Sequence, residues 1–338
     1  MVQPCGHMGN RRPLTERRII DIIIGRLERM PDMPVGFGDD VSACALKGGD
    51  LAILKTDMLV GKTDVPKSMS LRQAARKAVV MNVSDFAAKG VQPVTVLVSL
   101  GLPQGLSERD VEEIGDGLNA GAREYGAFVV GGDTGEACDL VVSVSVFGVA
   151  QRQKLMLRSG ASSGDIVAVT GLFGKTSAAL KILLEGFDAS QEVRDVLVES
   201  VMVPRARLKE GLALAETGVV TAAIDSSDGL AWSLYEISRA SGVGFLLERV
   251  PVAGEVEVFA VANKLDAFGM ALYGGEEYEL VLTVRPHLWS EAVEAVERVG
   301  GRLLRIGRAV AGNRVFLETR GGRRAVERRG YEHFKAKV

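Results

Sequence analysis

Ala222-Ala223-Ile224-Asp225-Ser226-Ser227-Asp228-Gly229-Leu230 passes from a short apolar β run, 222–224, into a helical pattern over 229–241, with two aspartates at the join. Ser227 or Asp228 suits a helix N-cap, where a side-chain oxygen takes up a free backbone N–H, but capping needs only one of them. Two carboxylates three apart can also flank one cation, and the helix N-terminus offers donors to an anion. The same device recurs at Gly38-Asp39-Asp40, Thr56-Asp57, Ser84-Asp85 and Gly132-Asp133. One aspartate in a turn is ordinary turn chemistry. Five segments that end alike predict carboxylates gathered at one end of a sheet, where they repel one another unless cations intervene.

Oxygen-only ligands on loops select hard cations, and Mg²⁺ in particular keeps its waters and bridges phosphates. The three histidines, His7, His287 and His333, are far apart in sequence, which disfavours zinc or iron. Gly36, Gly38, Gly131, Gly132, Gly274 and Gly275 stand beside the acidic residues and would let backbone amides approach phosphate oxygens. Together these features predict a nucleotide site with several Mg²⁺ ions that catalyses phosphoryl transfer, a reaction governed by positioning and charge neutralisation. Gly274-Gly275-Glu276-Glu277-Tyr278-Glu279 is a further acidic turn before an apolar strand, and Arg158 is a cation suited to clamping a phosphate. Gly171-Leu172-Phe173-Gly174-Lys175-Thr176 has only two residues between its first glycine and Gly-Lys where a P-loop has four, so it reads as a tight strand-to-helix turn.

Outward from these motifs, apolar periodicity predicts helices over 14–30 (capped by Thr15), 71–89 (capped by Ser70), 107–125, 175–184, 192–202, 205–217, 229–241 and 288–299. Strands are expected at 51–56, 94–100, 127–130, 140–149, 166–170, 222–224, 278–284, 303–306 and 315–318. Helices and strands alternate, yet hairpin-like pairs occur, so an α+β class fits better than a doubly wound fold. A polar stretch at 151–158 breaks the pattern and divides the chain into two domains, 1–152 and 153–338.

The 338 residues carry 41 Lys+Arg against 43 Asp+Glu, a net charge of −2, which lacks the basic face of a nucleic-acid binder. Aromatic residues are only 5%, too few for base-stacking platforms, while 47% hydrophobic residues suffice for sizeable cores. Cys5, Cys44 and Cys138 form no disulfide framework, and Cys5 with His7 offers too few ligands for a metal. No apolar run approaches the ~18 residues of a membrane span, and no leader pattern opens the chain, so a cytoplasmic setting is expected.

The ordered set of motifs resembles the thiamine-monophosphate kinases of the aminoimidazole-ribonucleotide synthetase superfamily. It comprises Gly-Asp-Asp at 38–40, Thr-Asp-Met-Leu-Val at 56–60, Asn-Val-Ser-Asp-Phe-Ala-Ala at 82–88 and Gly-Gly-Asp-Thr at 131–134. It continues with Arg-Ser-Gly-Ala at 158–161, Asp-Ser-Ser-Asp-Gly-Leu at 225–230, Gly-Gly-Glu-Glu-Tyr-Glu-Leu at 274–280 and Gly-Tyr-Glu-His-Phe at 330–334. The resemblance implies a two-domain fold: an N-terminal mixed-sheet domain, 1–152, that binds ATP and Mg²⁺ and dimerises by pairing into a dimer-spanning β-barrel, and a C-terminal α/β sandwich, 153–338, that closes the cleft. It implies transfer of the ATP γ-phosphate to thiamine monophosphate in a homodimer, with several Mg²⁺ ions and no nucleic-acid or membrane partner. By motif, Asp39, Thr56, Asp57, Asp85, Asp133, Asp225 and Asp228 would hold Mg²⁺, with Asp57, Asp133 and Asp228 central to catalysis. Gly132, Asp133, Arg158 and Ser227 would contact ATP. The chain departs from the family pattern at Lys55, where a threonine is usual, at Asp64, where many members have a histidine, and at Arg328, where an aromatic often stands. Asp64, Glu276 and Arg328 are the expected substrate contacts. The alternative is a same-fold ATP-dependent phosphotransferase or synthetase acting on another small molecule.

Overall fold

The helix α3 (Leu71–Lys89) is buried over most of its length, and the rest of the molecule is arranged around it. It starts at a reciprocal capping box, in which Ser70 Oγ accepts from Gln73 N while the Gln73 side chain accepts from Ser70 N, and it stops at Gly90. The computed structural model describes residues 14–334, so Cys5 and His7 lie outside the described residues.

Ahead of α3 come α1 (Glu16–Ile24), β1 (Ser42–Ala45), β2 (Asp50–Val60) and the single turn α2 (Gly61–Asp64). After it come β3 (Pro93–Leu102), α4 (Glu108–Glu124), β4 (Phe128–Glu136) and β5 (Val141–Gln151). The five strands form one sheet in the order β1-β2-β5-β3-β4, antiparallel except for the parallel pair β3/β4. Alternate residues Ile53, Val96, Val98, Val142, Val144 and Val146 are buried in a core shared with α3 and α4. The opposite face leaves Leu54, Met58, Leu97 and Val130 exposed, and every residue of β4 is exposed. This sheet is open, with β1 and β4 as free edges, so a single chain forms no closed barrel.

The second half adds β6 (Ile166–Val169), α5 (Lys175–Glu185), α6 (Gln191–Met202), α7 (Leu208–Thr217), β7 (Val220–Asp225), α8 (Leu230–Ser241) and β8 (Gly244–Leu247). It ends with α9 (Gly254–Asn263), α10 (Ala267–Tyr273), β9 (Leu280–Val284), α11 (Trp289–Arg298), β10 (Leu304–Val310), β11 (Val315–Thr319) and β12 (Gly322–Ala325). The seven strands run β12-β11-β8-β10-β6-β9-β7. Successive residues face opposite layers: Ala168, Ala223 and Leu282 join the core containing α3, α5 and α7, whereas Val167, Ile224 and Val281 pack with α8. A sheet covered by helices on both faces is the α/β sandwich expected of this half.

Three sequence expectations change. The helix expected over 14–30 ends at Ile24, with Gly25 as its cap, and none of its residues is buried. The strand expected at 51–56 continues to Val60, because its register with β5 persists through Val60↔Val141. Gly131-Gly132-Asp133 lies within β4 rather than in a turn after it. Gly132 is required there, since a Cβ would fall 1.8 Å from the Val98 carbonyl oxygen. Short β1, β8 and β12 and helices α9 and α10 escape periodicity altogether.

Gly211 of α7 lies against α3, where a Cβ would come 2.0 Å from the Ala87 carbonyl oxygen. Gly→Ala usually strengthens a helix interior. Here Gly211→Ala is expected to destabilise by about 1–3 kcal/mol, as overpacking does, measured by urea unfolding.

Candidate active site

Side chains of α3 reach the C-terminal end of β7 and the inner face of β2. Ligand oxygens of Asp40, Asp85 and Asp225, all buried, lie within 4.8 Å of one another. Ser84 Oγ donates to Asp225 Oδ2 at 2.8 Å. Lys89 is fully buried, donates to the Ala223 carbonyl at 2.8 Å and stands 2.7 Å from Asp39 Oδ1 and 2.8 Å from Asp40 Oδ2. Arg158 donates from Nε to Asp40 Oδ1 at 2.7 Å, its Nη2 also binds that oxygen, and its backbone N donates to Asp39 Oδ2 at 3.0 Å. Lys55 Nζ bridges Asp57 Oδ2 at 3.2 Å and Asp85 Oδ2 at 2.9 Å. Asn82 Oδ1 accepts from Asp57 N at 2.9 Å and holds β2 against α3.

Burial pushes the Asp85 carboxyl well above the usual carboxylate range, with the Asp225 and Asp57 charges adding to it and Lys55 opposing. Burial, then Asp40, pushes Asp225 up to about 6. Burial, then Asp225, pushes Asp228 up to about 7. Burial also pushes at Asp40, but Arg158 and Lys89 together hold that carboxyl below its usual range. Asp40 Oδ2 lies 2.8 Å from the Lys89 ammonium, and Ser226 Oγ is buried without a hydrogen-bond partner among the described residues. Crowded carboxylates with raised pKa values call for more positive charge than the fixed side chains supply, and their all-oxygen chemistry suits Mg²⁺.

The cluster opens on a cleft of about 500 Å³ walled by Arg17, Phe37, Arg158, Ser227, Asp228 and Trp232. The helix α1 borders it, with Arg17 Nη2 2.5 Å from Glu236 Oε1 and its guanidinium 4.8 Å from the Trp232 ring centroid. Arg328 pairs with Glu236 at 3.5 Å and faces the same ring. At the other side, Lys77 Nζ stands 2.5 Å from Glu276 Oε1 and donates to the Asp64 carbonyl at 2.9 Å. The Asp64 carboxylate accepts from Val60 N at 2.7 Å, which ties it to its own turn.

Two sets of expected residues lie elsewhere. Thr56 faces the exposed side of the five-stranded sheet, donating to the Val144 carbonyl at 3.1 Å and accepting from Ser145 Oγ at 3.0 Å. Asp133 pairs in register with exposed Ser99 on edge strand β4, and so points to that same outer side, away from Asp57; Gly132 is its neighbour. The Gly-Lys-Thr turn is also filled. Glu277 Oε1 accepts from Gly174 N at 2.7 Å and Thr176 N at 3.2 Å, so a carboxylate of the chain occupies the N-terminus of α5. Sequence reasoning chose Asp39 over Asp40 for the cluster and missed Lys77 and Lys89. Their signal was two lysines among the alanine, valine and phenylalanine of a helix that also carries Asn82, Ser84 and Asp85.

Family models for the AIR synthase related protein match its N-terminal domain at residues 38–150 and its C-terminal domain at 162–320. A thiamine-monophosphate kinase of Pyrococcus abyssi is 36% identical over 95% of this chain and 96% of its own length. The chain belongs to the AIR synthase related family, in its thiamine-monophosphate kinase branch. The family's Bacillus subtilis kinase is 32% identical, over 95% of this chain and 100% of its own. Among solved members of the family, AaThiL complexed with AMPPCP and TMP superposes with a TM-score of 0.83 at 27% identity, covering 95% of this chain and 97% of that one. Thiamine-monophosphate kinase from Stenotrophomonas maltophilia gives 0.74 at 28%, over 90% of this chain and 97% of its own.

Because Asp225 and Asp228 keep their protons to higher pH when folded than when unfolded, the folded state binds more protons between about pH 4 and 7, and stability falls as pH rises through that window. In EDTA the thermal midpoint is expected to decline from pH 4 to 7 on this account. Added Mg²⁺ or Asp228→Asn should flatten the decline, which thermal unfolding across pH measures directly.

Proposed function

We propose that this chain transfers the γ-phosphate of ATP to thiamine monophosphate, giving thiamine diphosphate and ADP. The observation that supports it most is the buried group Asp40, Asp85 and Asp225 beside Arg158, opening on a nucleotide-sized cleft, in a chain 36% identical to a thiamine-monophosphate kinase along nearly its whole length. In the transfer, an oxygen of the acceptor phosphate bonds to the γ-phosphorus while the bridging P–O bond breaks and its electron pair leaves on ADP.

In this reading Asp39, Asp57, Asp85, Asp225 and Asp228, with Asp40, hold Mg²⁺. Bound there, the ions neutralise charge on the triphosphate. Arg158, kept rigid by Asp40, orients phosphate oxygens from the cleft side. Ser227 lies at the same mouth, and its carbonyl accepts from Glu276 N at 2.6 Å, which couples the nucleotide side to the acceptor side. Glu276 is fixed by Lys77 and faces the acceptor. Arg328 lies at the rim with Trp232, while the Asp64 carboxylate is turned to Val60 N, so neither needs a different acceptor to explain it.

Residues 1–152 act as the ATP- and metal-binding dimerisation domain, and 153–338 close over it. The outer face of the five-stranded sheet is the dimer surface. Its exposed Leu54 (45%), Met58 (59%), Leu97 (51%) and Val130 (59%) form an apolar face of the kind partners cover. Two such sheets face to face would give the dimer-spanning barrel and enclose Thr56, Gly132 and Asp133 at its interface.

With ATP, Mg²⁺ and thiamine monophosphate, purified protein should yield thiamine diphosphate; ATP turnover that never yields it would reject this acceptor. Asp225→Asn is expected to lower kcat about 100-fold or more, since it removes a metal-holding oxygen. For the dimer surface, Leu97→Asp should halve the mass found by sedimentation, and an unchanged mass would exclude that face.

A further inference from the structure

We infer that Lys55 is a built-in substitute for one divalent cation, holding Asp57 and Asp85 together before any ion or nucleotide arrives. This rests on the metal-dependent reading of the site given above. The ammonium lies between two carboxylates on different elements, 3.2 Å from Asp57 on β2 and 2.9 Å from Asp85 on α3, with only 18% of its side chain exposed. Bridging carboxylates from separate elements is the task of a metal ion. Nζ stands at the longer distances of a charge-assisted hydrogen bond, against the roughly 2.0–2.1 Å of Mg²⁺ to oxygen.

The three fixed cations differ in what surrounds them. Lys89 and Arg158 serve Asp39 and Asp40, where backbone groups also take part: the Ala223 carbonyl accepts from Lys89, and Arg158 N donates to Asp39. Among the described residues Lys55 pairs only with the two carboxylates, a task an ion in the same place would also perform. Its charge is tethered and cannot dissociate. The Asp57–Asp85 contact is therefore formed at any Mg²⁺ concentration, and the divalent ions of the site come in addition to it.

Two variants separate this role from a plain structural salt bridge. Lys55→Thr removes the charge and opens space, whereas Lys55→Met removes the charge and keeps the bulk. Both leave Asp57 and Asp85 uncompensated in EDTA, so both should lower the thermal midpoint by roughly 5 °C or more. Millimolar Mg²⁺ without nucleotide should restore most of the loss in Lys55→Thr and little of it in Lys55→Met. Counted by electron paramagnetic resonance of free Mn²⁺, Lys55→Thr should bind one more ion per chain than the wild type. Equal ion counts, or equal rescue of the two variants by Mg²⁺, would overturn the assignment. So would equal counts with a raised KM for ATP, which would mean that the lysine swings to the triphosphate. None of these readouts needs thiamine diphosphate formation, so a failed kinase assay and a failed role for Lys55 are told apart. Wild type that binds no Mn²⁺ even with a nonhydrolysable ATP analogue would overturn both.

Discussion

Charge packed into a nearly dry interior governs this molecule. The helix α3 runs between two sheets and carries Lys77, Asp85 and Lys89 buried, where an unpaired charge costs several kcal/mol. Each is answered by a group from another part of the chain: Lys77 by Glu276, Asp85 by Lys55, Lys89 by Asp39 and Asp40. Such pairs add little net stability over apolar packing of the same volume, so their value lies in placement. They fix β2, the 38–40 turn and the 274–279 turn relative to one helix, and these segments carry the acidic side chains of the site.

The fixed cations do not complete the neutralisation. Six carboxyl groups, Asp39, Asp40, Asp57, Asp85, Asp225 and Asp228, share three fixed cations, Lys55, Lys89 and Arg158. The raised pKa values of Asp85, Asp225 and Asp228 show the deficit running from α3 to the mouth of the cleft. A protein that leaves its negative charge unanswered on the ligand side is arranged to receive cations with a polyphosphate.

Backbone strain marks the same region. Glu276 (φ 61°) and Tyr278 (φ 52°) adopt left-handed conformations that non-glycine residues enter at a cost. They are held by hydrogen bonds from Glu276 N to the Ser227 carbonyl and from Tyr278 N to the Ser226 carbonyl, while Glu277 caps α5. One strained turn thus aims Glu276 at Lys77, seals a helix end and grips the loop of Asp225 and Asp228.

Local order was legible in the amino-acid pattern because it depends on neighbours a few positions apart. Ser107 and Asp110 announced the start of α4, apolar spacing located α3, α6 and α11, and the recurrence of aspartates beside small residues pointed to hard cations and phosphate. Which aspartates meet was not legible. Asp39 and Asp40 are adjacent and both meet Lys89, yet only Asp40 enters the three-acid group. Asp57 and Thr56 are adjacent, yet strand alternation sends them to opposite faces, and the same alternation puts Asp133 outside. Charges meet through space, at distances set by how sheets and helices stack, and no spacing along a chain encodes that separation; only the packed fold selects which carboxylates come together and which lysine lies between them.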